Sequence, residues 1–189
     1  KKRNHDPIYN LLYQVKDINN TTRFEWQGER IFNETEVPKD MLMSQDETLA
    51  LFIRPNNTIL ICDIQENFVY TNNNKVDLLE ITHDNQCIIG VATDKLIIFE
   101  INFELKKLQV NYSIPFRKAS PNHIISIASI DNCHFFTGMS NGDIKFWSLQ
   151  SDDCLYTLHQ AHTNPIRGLI VTSDSKHMVS FGDYAVKIW

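Results

Sequence analysis

The stretch HTNPIRGLIVTSDSKHMVSFGDYAVKIW, residues 162–189, reads as three short strands in a row. PIRGLIV (165–171) is apolar with polar interruptions, and TSDSK is a cluster of small polar turn residues. HMVSFG (177–182) is a second apolar run. Asp183 and Tyr184 form a tight turn before AVKIW (185–189), whose faces alternate. Runs this short, bounded by Ser, Asp and Gly, predict an antiparallel meander.

The polar residues of the stretch predict a buried network. Asp183 sits where a turn needs an acceptor, with His162 and Ser180 placed to share it. The Trp189 indole N–H can only donate and needs an acceptor when buried. Each such hydrogen bond contributes about 1 kcal/mol net. This order of residues resembles the WD40 repeat, the unit that builds β-propeller blades. The resemblance rests on His162 before the first strand, Ser180 in the second, Asp183 in the turn, and the closing Val186-Lys187-Ile188-Trp189. It implies an all-β chain folded as a β-propeller of four-stranded antiparallel blades. Ser, His and Asp also invite a catalytic reading. Here the same residue types have a structural role and lack a separate acid–base setting, so we expect no catalytic site.

Working back from Trp189, the residue that closes the third strand recurs as Trp147, Phe99 and Cys62, with a fainter Trp26. The intervals are 42, 48, 37 and 36 residues. They average close to the ~40–45 of this repeat. The predicted units are residues 38–72, 75–115, 119–159 and an incomplete 162–189, after an N-terminal segment or partial blade, 1–37. In the unit of residues 119–159, His123, Thr137, Asn141 and Trp147 stand in the four polar positions; Asn in the Asp position still accepts a hydrogen bond. Asp94 lies near that position in the unit of residues 75–115, and Phe99 replaces Trp there. In the unit of residues 38–72, Cys62-Asp63 stands where the family shows Trp-Asp. Within 1–37, YNLLYQV reads as a strand or a short helix, DINNTT (17–22) as a turn, and RFEW with ERIFNE as a hairpin. The count of units and the stop at Trp189, one strand short of a blade, lead us to expect a partial propeller from a longer chain.

Composition narrows the function classes. A formal net charge of -5 over 189 residues argues against a general nucleic-acid binder, which needs a basic face. No apolar run approaches the ~18 residues of a membrane-spanning helix. Cys62, Cys87, Cys133 and Cys154 lack C-x-x-C spacing, which favours free thiols over a zinc site or a disulfide framework. His159 and His162 form an H-x-x-H pair with no further ligand spaced nearby, so we expect no metal and no cofactor. Phosphate-loop, H-E-x-x-H and G-x-S-x-G patterns are absent.

The resemblance implies a non-enzymatic scaffold whose partners are other proteins of a multi-subunit assembly, not small-molecule substrates. We expect a cytoplasmic setting; the units with Phe99 or Cys62 in the Trp position resemble the large WD-repeat proteins of ciliary, cytoskeletal or trafficking assemblies. Two other readings are kept: the substrate receptor of a ubiquitin ligase, and a scaffold of an RNA-processing complex. Candidate contact residues, on the turns where propeller partners sit, are Arg117, Asn122, Asn141, Arg167 and Tyr184.

Overall fold

The computed structural model describes residues 37–189, except 67, 94, 116–121 and 152, together with the backbone of four short strands before them. Those four are β1 (Lys16–Ile18), β2 (Thr21–Arg23), β3 (Glu25–Trp26) and β4 (Glu29–Arg30). β1 pairs with β2, and β3 with β4, both antiparallel. The β3–β4 pair is the hairpin predicted from RFEW and ERIF. The β1–β2 pair takes Asp17, Ile18, Thr21 and Thr22 out of the predicted turn and into strands, since β-branched Ile18, Thr21 and Thr22 suit extended backbone. YNLLYQV and Asp94 lie outside the described residues.

The chain divides into two compact units, Lys1–Lys75 and Val76–Trp189. The first contains one four-stranded antiparallel blade in sequential order: β5 (Asp40–Met43), β6 (Leu49–Ile53), β7 (Ile59–Asp63) and β8 (Phe68–Asn72). β6 and β7 are buried at every position, which is why LALFI and ILIC read as unbroken apolar runs and not as alternation, with the buried Asp63 closing the second. Asn57, at a φ of 68°, turns the chain between them, a geometry that Asn tolerates better than most residues.

The second unit holds a second blade of β9 (Leu78–Ile81), β10 (Cys87–Val91), β11 (Lys95–Asn102) and β12 (Lys107–Pro115). The third blade is β13 (Ile124–Ser129), β14 (His134–Met139), β15 (Ile144–Ser148) and β16 (Cys154–Leu158). The fourth has three strands: β17 (Gly168–Val171), β18 (Met178–Phe181) and β19 (Val186–Ile188). Among the described residues no helix is long and apolar enough to cross a membrane.

Within this unit the innermost strands follow one another, β9 against β13 and β13 against β17. Two apolar clusters fill the seams. One joins Ile89, Leu96 and Ile98 of the second blade to Phe135, Met139 and Trp147 of the third. The other joins Ala128 and Ile144 of the third to Leu169 and Met178 of the fourth. Sheets stacked through side chains in this way need apolar residues on both faces, which accounts for the Ile-rich strands.

The cross-strand registers make the repeat explicit. Cys62, Phe99, Trp147 and Trp189 each lie abreast of a residue on the strand before: Ala50, Ile88, Phe135 and Met178. The closing positions aligned in the sequence are thus equivalent in space. Where Trp is lost, Cys62 and its neighbour Ala50 are both small, and both are fully buried.

Candidate interaction surface

In the fourth blade, Ser180 is fully buried and its hydroxyl joins two partners. The Trp189 indole N–H donates to Ser180 Oγ at 2.9 Å, and His162 Nε2 lies 2.7 Å from the same oxygen. His162 is itself buried. Burial, followed by the Lys187 charge, holds its pKa below the usual imidazole value. A neutral ring suits a hydrogen bond to an uncharged hydroxyl.

Asp183 does not join this network. Its carboxylate accepts from Arg167 Nε at 2.8 Å, at the surface. A carboxylate gains a charged donor there and stays hydrated, so it is not drawn onto a neutral buried imidazole. The three-residue chain His162–Ser180–Trp189 therefore replaces the expected four.

The third blade keeps less of the pattern. Trp147 N–H donates to the buried Thr137 hydroxyl at 2.9 Å. His123 is exposed, and its backbone exchanges hydrogen bonds with Ser140, not with Thr137. Asn141 turns to Asp143, donating to its Oδ2 at 2.8 Å and accepting from its N–H at 3.2 Å.

Asp143 then becomes the hub of a loop face. Its other oxygen accepts from the Gln160 N–H at 2.9 Å, and His159 Nδ1 approaches at 3.3 Å. Burial by itself would raise the Asp143 carboxyl; hydrogen bonds from Gln160, Asn141 and His159 outweigh it and leave the pKa below the ordinary carboxylate value. His159 and His162 thus have different partners, Asp143 and Ser180. The His162 N–H donates to Gly142 O at 2.9 Å, fastening the β14–β15 turn to the segment leading into β17. Lys187 Nζ bonds Ala161 O from the other side. The β18–β19 turn closes on the same segment, with Gly182 beside Pro165 and His162.

Two turns and one connecting segment are therefore locked into a continuous face. It presents Asn141, His159, the Arg167–Asp183 pair, and Tyr184, whose surface is 88% exposed. Asn122 is half-buried in the approach to β13, and Arg117 lies outside the described residues. The sequence reading missed Asp143, His159 and Gln160 as organisers of this face; the Asn-Gly-Asp turn was the available signal.

A further repeat was also missed. Tyr70, Tyr112 and Tyr156 are equivalent in register, each abreast of the residue before the closing position: Ile61, Ile98 and Phe146. Their spacings of 42 and 44 residues were legible in the chain. Tyr112 uses its hydroxyl to bond Leu149 O, two residues past Trp147 on the next blade.

The blades are those of a β-propeller, consistent with a WD40-like fold. Register, the Trp–Ser/Thr hydrogen bonds and the sequential inner strands support that together. No family model matches the chain. The chain is similar to the "DDB1- and CUL4-associated factor 13" of Dictyostelium discoideum, with 46% identity over 54 residues. That match covers 28% of this chain and 12% of that protein.

Proposed function

We propose that the chain is a non-enzymatic scaffold that binds other proteins of a larger assembly through the face carrying Asn141, His159, Arg167 and Tyr184. The observation that supports this is the hydrogen-bonded locking of two turns and the segment 159–167 into one surface. A preorganised surface binds without a large ordering cost. Tyr and Arg are the residue types most often found at binding hot spots. A cytoplasmic setting belongs to the proposal, and fractionation of the tagged protein checks it.

Cross-linking mass spectrometry on the protein isolated from its own cells tests the reading. Cross-links from Lys187 and Lys145 to a stable set of proteins are expected, with loss of that set in a Tyr184→Ala, Arg167→Ala variant that keeps its thermal midpoint. An unchanged partner set in that variant refutes the assignment of this face.

The similarity to a protein named for association with DDB1 and CUL4 favours a second reading, a substrate receptor of a ubiquitin ligase. Purified DDB1 binding the chain directly, with other partners exchanging on it, would replace the scaffold reading by this one.

A further inference from the structure

Glu80 breaks the pattern of its row. Cross-strand neighbours line up as Leu42, Leu51, Ile61 and Tyr70 in the first blade. They are Ala128, Phe136, Phe146 and Tyr156 in the third, and Ile170, Val179 and Ile188 in the fourth. The second blade puts Glu80, Ile89, Ile98 and Tyr112 in the same places. Residues directly abreast share a face. One carboxyl therefore stands where the other three blades place Leu, Ala and Ile.

That face is turned to the third blade, since Ile89 and Ile98 share a cluster with Phe135 and Trp147, and β9 lies against β13. The carboxyl receives the N–H of Ile81 at 3.3 Å and a backbone N–H from Ser129 on β13. The titratable groups at this end of the seam are Asp84, Cys87 and Glu100 on its own blade, with Cys133 close enough to act on Cys87 and with Asp131 and His134 at the β13–β14 turn; none of them acts on Glu80 as strongly as its burial. Asp131 and His134 pair with each other at 2.9 Å. What acts on Glu80 is burial first, then the Ile81 and Ser129 N–H groups, and burial prevails, pushing it up to about 7. A carboxylate in an apolar seam without a cation partner is costly when charged and tolerated when neutral.

We propose that Glu80 is a pH-sensitive latch in the seam between the second and third blades. Protonated, it seats beside Ile89 and against the β13 backbone. Ionised, it draws water into the seam and loosens β9 from β13.

The direction follows from linkage. Below the ordinary value of 4.5 the carboxyl is protonated folded or unfolded, and it costs nothing. As pH rises from there through about 7, the unfolded chain gives up the proton first, so stability falls, and it levels off above that. The gap corresponds to at most about a 300-fold loss in the folding equilibrium. Part of the Glu80 side chain still meets solvent, which reduces the figure.

The test compares the chain with Glu80→Gln by urea unfolding at pH 5 to 8.5, and follows the Glu80 carboxyl by carbon NMR. The expected result is titration near neutrality, a midpoint that falls across this range in the parent, and a flatter profile in E80Q. Amides of β9 and β13 should exchange faster above pH 7 than protection elsewhere in the unit accounts for. Glu80 titrating at 4 to 5, or E80Q retaining the parent's slope, overturns the proposal. Should E80Q not fold, the NMR titration and amide exchange of the parent decide alone.

Discussion

Gly142→Ala would strike the one described glycine with a left-handed φ, +85°. A Cβ there would fall 1.9 Å from the His162 carbonyl oxygen and 2.8 Å from its carbonyl carbon. Both obstacles are backbone, so no side-chain rotation relieves them. The left-handed conformation costs a non-glycine residue about 1 kcal/mol or more. Moving the segment away also breaks the His162 N–H to Gly142 O bond, about 1 kcal/mol, and disturbs the Asp143 hub behind it. With the Gln160 N–H to Asp143 bond of that hub weakened as well, about 1 kcal/mol more, the sum is about 3–4 kcal/mol, among the larger effects of a single substitution. For a chain of this size that lowers Tm by about 10 °C. Urea and thermal unfolding of the variant measure it. Gly182→Ala is the control: its Cβ would meet Pro165 O at 3.1 Å with no left-handed backbone, and a loss of about 1 kcal/mol or less is expected. A Gly142→Ala variant within about 0.5 kcal/mol of the parent would refute the claim that this turn is pinned to residues 162–164.

Three further outcomes are expected. Ser180→Ala leaves the His162 ring and the Trp189 indole without their shared oxygen, and should cost about 2–3 kcal/mol in urea unfolding, whereas Trp189→Phe should cost less on the Ser180→Ala background than alone. The Cys62 thiol, pushed up to about 12 chiefly by burial, stays protonated at pH 8; mass spectrometry after brief iodoacetamide treatment of the folded chain should find it unmodified while Cys133 is alkylated. His162 titrates below its ordinary 6.5 in the fold, so the unfolded chain binds the proton first as pH falls and stability declines below that value. His162→Gln should remove that part of the acid dependence in a pH series of thermal midpoints.

The strand positions were legible because blade strands are short and apolar and are separated by polar turn residues. LALFI, CIIGV, IISIAS and GLIV appear where their runs predict. The repeat was legible through Trp147 and Trp189, and Phe99 and Cys62 could be aligned by interval before register confirmed them. Half of the polar network was legible too: indole to hydroxyl in both Trp-bearing blades, and imidazole to hydroxyl in the last. Asp183 was not, because its choice between His162 and Arg167 depends on which partner is hydrated.

What the chain determined by itself is therefore the local and periodic part: strands, turns, the interval of the repeat, and the residue that closes each unit. These follow from short-range backbone preference and from which residues leave water. Tertiary structure decided the rest. It placed Asp143 among Asn141, His159 and Gln160, set Tyr112 against the next blade, and put Glu80 into an apolar seam. Each outcome depends on contacts between residues far apart in the chain, where the balance of burial against hydrogen bonding is set by neighbours the local sequence does not name.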